Sequence, residues 1–135
     1  MEDAESFSFG VNSGQASQLP FLPLTLELAE TSREIIALVD SGAAVNVLPH
    51  DVGLQLGAQW DDLSLPLRLT GNLAGFEARA LVVNASVGSF PPVRLAFAWT
   101  RSNEVPVILG QVKFFMEFDA CFYRGRGVFY VRPRR

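Results

Sequence analysis

Apolar residues return at every second position through most of this chain, and that period leaves few folds open. In "FLPLTLEL" Leu22, Leu24, Leu26 and Leu28 alternate with Pro23, Thr25 and Glu27. In "LSLPLRLTGNLAGFEARALVV" Leu65, Leu67 and Leu69 alternate with Pro66, Arg68 and Thr70, and Phe76, Ala78 and Ala80 with Glu77 and Arg79. The two arms meet at "GNLAG", so a hairpin is expected there. In "PPVRLAFAWT" Val93, Leu95, Phe97 and Trp99 share one face, with Arg94 and Thr100 on the other. "IIALVD" and "VPVILG" are continuous apolar runs, which suit strands buried on both faces. "TSRE" reads as a turn, and "DACFYRGRGVFYVRP" as two closing strands around "RGRG". Helical spacing is weak. Leu48, Val52 and Leu56 recur at i, i+4, i+8 behind Pro49, with Gly53 shortening the run. "QVKFFMEF" allows a second short helix, with Val112, Phe115 and Met116 on one side. About eight short strands and two short helices predict an all-β, barrel-like domain.

The chain's 135 residues argue for one domain, and 49% are apolar, enough for a real core. Residues 1–19 are rich in Ser, Gly, Glu, Asn and Gln and are expected to be a disordered tail, with the folded domain over 20–133. The formal charge is −3, and the basic residues are scattered, so no nucleic-acid partner is expected. Cys121 and His50 are the single residues of their kinds, which leaves no intrachain disulfide and no metal site in prospect. No cofactor is expected either, since no phosphate loop or dinucleotide fingerprint occurs. No apolar run approaches the length of a membrane span, and the acidic start is unlike a secretory signal. The expected location is cytoplasmic, away from membranes.

One carboxylate stands out. Asp40 ends the run Ile35–Val39 and precedes Ser41 and Gly42. Gly permits a tight turn and close approach of a second backbone. Backbone N–H groups in such a turn can orient the acid. A lone carboxylate is a weak catalyst of peptide hydrolysis, but two of them a few Å apart share one proton and divide the work of base and acid. Asp51, Asp61, Asp62 and Asp119 lack this setting. If such a pair exists, its second acid must come from Asp40 of another copy across a two-fold axis.

"VDSGAAVNVLP" resembles the Asp-Ser/Thr-Gly-Ala motif of the retropepsin-like aspartic proteases, homodimers of half-length chains. "VILG" at 107–110, about 70 residues downstream of Asp40, is similar to that family's second signature. The segment "QVKFFMEFDACFYRGRGVFYV" resembles the family's terminal helix and closing strands, and the hairpin falls where the family carries its flap. The resemblance covers roughly residues 20 to 133 and implies a retropepsin-like barrel.

It also implies roles. Asp40 is the acid/base, once per subunit. Ser41 and Gly42 support the loop. Leu38, Ala43, Val47 and Ile108 line apolar substrate pockets. The tip, Gly71, Asn72, Leu73, Ala74 and Gly75, closes over an extended peptide or protein substrate. The implied partner is a second copy, and the implied activity is aspartic endopeptidase. Where viral members pair an Asp with an Arg or Lys across these motifs, this chain has Ala44 and Gln111, so both charges are missing together. A catalytically silent dimerisation or peptide-binding module is the alternative, and the intact Asp-Ser-Gly-Ala argues against it.

Overall fold

A computed structural model of the chain describes residues 2–10 and 19–134, without the side chain of Asn72. Among the described residues, ten strands and two short α-helices make up the fold. The long hairpin β2 (Phe21–Leu28) and β3 (Thr31–Val39) is followed by the two-residue β4 (Val47–Leu48), α1 (His50–Gln55) and β5 (Pro66–Leu67). The antiparallel pair β6 (Ala78–Ser86) and β7 (Val93–Thr100) comes next, then β8 (Val107–Leu109). The order β2-β3-β8-β4-β7-β6 closes on itself through pairing of Thr25–Glu27 with Asn84–Ser86, and β5 extends it at β6. Closure removes free strand edges from this part of the chain.

The period-two reading locates the barrel's interior. Leu22, Leu24 and Leu26 of β2 are at most 4% exposed, and Leu95, Phe97 and Trp99 of β7 at most 1%. Each such side chain contributes about 1.5–3 kcal/mol by leaving water. Gly53 of α1 packs so closely on the Trp99 indole that a Cβ there has no room. A second, smaller apolar cluster gathers Val47, Leu69, Ala78, Ala98, Val105 and Ile108 beneath the β5–β6 connection. Thr100, expected on the solvent face, is fully buried. Its hydroxyl donates to the Ser102 carbonyl at 2.9 Å.

Several expectations are corrected. The β2–β3 turn is at Ala29–Glu30, and "TSRE" is the start of β3. The face of β3 that carries Ile36 and Leu38 is not buried: Ile36 is 40% exposed and Leu38 half-buried, while Ala37 and Val39 face the core. In α2 (Phe114–Glu117) the buried residue is Phe114, with Val112 and Met116 exposed.

The stretch expected as a disordered tail holds a strand, β1 (Glu5–Ser8). Met1 and residues 11–18 of that stretch lie outside the described residues. β1 pairs with β10 (Val128–Pro133), which pairs with β9 (Phe118–Tyr123), to make a separate three-stranded sheet. Two contacts explain why so polar a segment is ordered. Phe7 and Phe9 rest on Phe129, with ring centroids 5.6 and 5.7 Å away. The Glu5 carboxylate accepts the Ser89 N–H at 2.8 Å and also the Ser89 hydroxyl. Those bonds hold the Glu5 carboxyl below its ordinary value of 4.5.

Candidate active site

Strands β3 and β8 run parallel, in the register Ala37↔Val107, Leu38↔Ile108, Val39↔Leu109. This pairing brings the two distant motifs side by side. The Asp40 N–H extends the ladder by donating to the Leu109 carbonyl at 2.9 Å. The chain then turns tightly, with the Ala43 N–H on the Asp40 carbonyl at 3.1 Å. Inside that turn the Gly42 N–H donates to Asp40 Oδ1 at 2.9 Å. Backbone donation of this kind fixes a carboxylate's direction.

The segment after β8 clasps the loop from behind. The Gln111 and Val112 N–H groups each donate at 2.9 Å, to the Ala43 and Ala44 carbonyls. The Gln111 side chain donates to the Ser41 carbonyl at 2.7 Å. A neutral side chain at one of the two positions without the ion pair thus ties the loop at Ser41 instead. Gly110 lies against the loop so closely that a Cβ would sit 2.6 Å from the Val45 oxygen and 2.8 Å from that of Ala43. Only glycine fits there.

Asn46 ties these pieces together, and sequence reasoning passed it over. It is fully buried. Its Oδ1 accepts the Gly110 N–H at 2.8 Å, its Nδ2 donates to the Ala96 carbonyl at 3.2 Å, and its own carbonyl accepts the Ala98 N–H at 2.8 Å. Three backbone groups, two on β7 and one just after β8, are satisfied by one residue. The available signal was a single amide inside the apolar run "AAVNVLP".

Asp40 opens into a cleft of about 420 Å³ between this floor and the β5–β6 connection. Of the residues expected at the site, Gly42, Ala43, Val47, Gly71, Leu73 and Ile108 line it together with Asp40. Four do not. Leu38 and Ser41 line a neighbouring cavity of about 410 Å³, shared with Asp40 and walled by Phe9, Phe122 and Arg124. Ala74 borders a shallow depression with Pro66 and Phe76, and Gly75 is exposed with open space around it. The side chain of Asn72 lies outside the description. The cleft also holds residues not anticipated there, Val45, Arg68, Leu69 and Thr70. Among the described residues no helix is long and apolar enough to cross a membrane.

The roof is a hairpin with a long excursion. Only Pro66↔Arg79 and Leu67↔Ala78 pair, and residues 68–77 leave the ladder. A 3₁₀ turn, Gly71–Leu73, forms the tip. Leu69, 4% exposed, anchors this segment in the smaller apolar cluster, with Leu73 and Phe76 partly buried beside it.

No family model matches the sequence, and a search of curated proteins finds no match. Among solved structures, the chain is similar to the crystal structure of a retropepsin-like aspartic protease from Rickettsia conorii. The TM-score is 0.66 and the identity 13%, over 97% of this chain and 96% of that one. The closed barrel, the Asp40 loop seated on β8, the overhanging hairpin and this likeness agree: the chain has the retropepsin-like fold.

Proposed function

We propose that the chain is an aspartic endopeptidase that works as a homodimer, with its protease domain over residues 20–133. The observation that carries this reading is Asp40, aimed by the Gly42 N–H into a cleft lined mainly by apolar and backbone groups beneath a hairpin. Asp40 is the one carboxylate lining that cleft, so the chemistry needs a second copy.

In the dimer two Asp40 carboxylates approach across the axis and share one proton. The ionised member takes a proton from a water held between them. The protonated member polarises the scissile carbonyl and later protonates the leaving amine. Ser41, exposed and with no hydrogen bond at its hydroxyl among the described residues, bonds across the axis. Ala43, Val47 and Ile108 offer apolar surface to an extended peptide, and Gly71–Gly75 close over it. Leu38 acts at the subunit boundary rather than in the substrate cleft, because it faces Phe9 and Phe122.

Subunit mixing tests the dyad directly. Native and Asp40→Asn chains are re-equilibrated at fixed total concentration over a range of ratios, and cleavage of a fluorogenic peptide pool is followed from pH 3 to 7. Mixed dimers hold one acid and are inactive, so activity falls as the square of the native fraction. A linear fall means that each chain works alone and overturns the shared dyad.

A further inference from the structure

Asp40 and Arg68 are the ionisable residues lining the cleft. Both border the same space, yet no ion pair joins them. Among the described residues the ion pairs run from Arg132 and Arg134 to Asp119. Of the other described arginines, Arg33, Arg79, Arg101 and Arg126 have partners, while Arg94 and Arg124 lie outside this cleft. Arg79, on the strand paired with β5, donates to the Trp60 and Leu63 carbonyls at 2.6 and 2.9 Å. Arg101 lies over the Trp60 ring, and Arg126 over that of Tyr123. The Arg68 side chain is exposed, has no hydrogen bond among the described residues, and borders both the cleft and the depression beside Pro66 and Phe76. It is thus a guanidinium without a partner among the described residues, in the wall of the cleft that also holds Asp40.

We infer that Arg68 is a specificity-determining residue that selects extended peptides carrying an acidic side chain beside an apolar centre. The inference rests on the homodimeric protease reading. Its electrostatics follow from proton sharing. Two acids with one proton between them carry a single negative charge, while two copies of Arg68 supply two positive ones. The assembled cleft is net positive and attracts a carboxylate, which a guanidinium can grip with two parallel N–H bonds. Because Arg68 is exposed, the attraction is screened by water and salt and sets a preference of modest size. Symmetry adds a second consequence. One Arg68 lies on each side of the scissile bond, so an acidic residue serves equally at two mirror-related positions of the substrate.

The test uses synthetic decapeptides with an apolar central pair and a single Glu, Gln or Lys stepped through the flanking positions. Binding to the full-length Asp40→Asn chain is measured by fluorescence anisotropy, and cleavage by the native chain as kcat/KM. Glu is expected to exceed Gln by about fivefold at two mirror positions. Arg68→Gln removes the difference, and Arg68→Glu turns the preference to Lys. An unchanged Glu-to-Gln ratio in Arg68→Glu overturns the inference, as does equal treatment of the three side chains by the native chain. If peptides are cut without an acidic preference, the inference fails and the protease reading stands. Arg68-dependent binding of Glu peptides with no cleavage by the native chain at any pH gives the reverse. Peptides neither bound nor cut sink both.

Discussion

The floor and the roof of the cleft are built to opposite standards. Around Asp40, residues 40–46 and 109–112 are cross-braced by the Asp40–Leu109, Gln111–Ala43, Val112–Ala44, Gln111–Ser41 and Gly110–Asn46 bonds. The roof over 68–77 has two ladder pairs at its root, short turn bonds at its tip and one fully buried anchor, Leu69. Constraint is concentrated around the Asp40 carboxylate and sparse in the hairpin above it, which is the division the proposed function needs between a fixed acid and a ligand's way in.

The contrast can be broken most severely at its centre. Asp40→Asn is expected to lower kcat/KM by at least about 100-fold while shifting stability by no more than about 0.5 kcal/mol. Peptide cleavage and thermal unfolding of the same sample check both. Residual activity near native would reduce the floor to scaffolding. Next come paired glycine substitutions. Gly110→Ala drives a methyl into two carbonyl oxygens and should cost about 1–3 kcal/mol. Gly75→Ala in the roof meets open space and should cost less than about 0.5 kcal/mol. Equal costs in urea unfolding would erase the distinction. Asn46→Leu strands the Gly110 N–H and Ala96 carbonyl, with an expected loss of about 1–3 kcal/mol and a larger fall in kcat than in KM.

The smallest effect lies outside the cleft and sharpens the comparison by supplying a third, pH-dependent tether. The Glu5 carboxyl is lowered by its bonds to Ser89. Its stabilisation of β1 is therefore full above 4.5 and is lost as pH falls through the lower folded value. Amide exchange of residues 5–8 should speed up relative to the barrel in that acidic window, and Glu5→Gln should flatten the response. A β1 whose protection tracks the barrel at every pH would contradict it.

Much of the barrel was legible because alternation survives wherever one face is covered by the core. Leu22–Leu26 and Leu95–Trp99 lie inward as their spacing predicts. β1 was not legible, since Phe7 and Phe9 become ordered only against Phe129, more than a hundred residues away. β4 was hidden by its length: two residues carry no period, and their strand character comes from Ala98, Trp99 and Ile108 on either side. In the site, Asp40, Gly42 and Gly110 could be found because tight backbone approach restricts residue choice. The roof could not be read by parity. Arg68 and Leu69, expected on opposite faces, both border the cleft because the ladder ends at Leu67. Leu38 was misplaced for the opposite reason: its ladder does continue, and alternation sends it to the face with Phe122.

The junction of β3 with β8 also sets a timetable. Residues 37–39 leave the ribosome early and wait some 70 positions for 107–109, so the seat of the acid is among the last pieces that synthesis can complete. On the proposed function, a growing chain holds Asp40 through that whole interval without the β8 backbone on which its loop is seated, so the acid couple cannot assemble until β8 has been made.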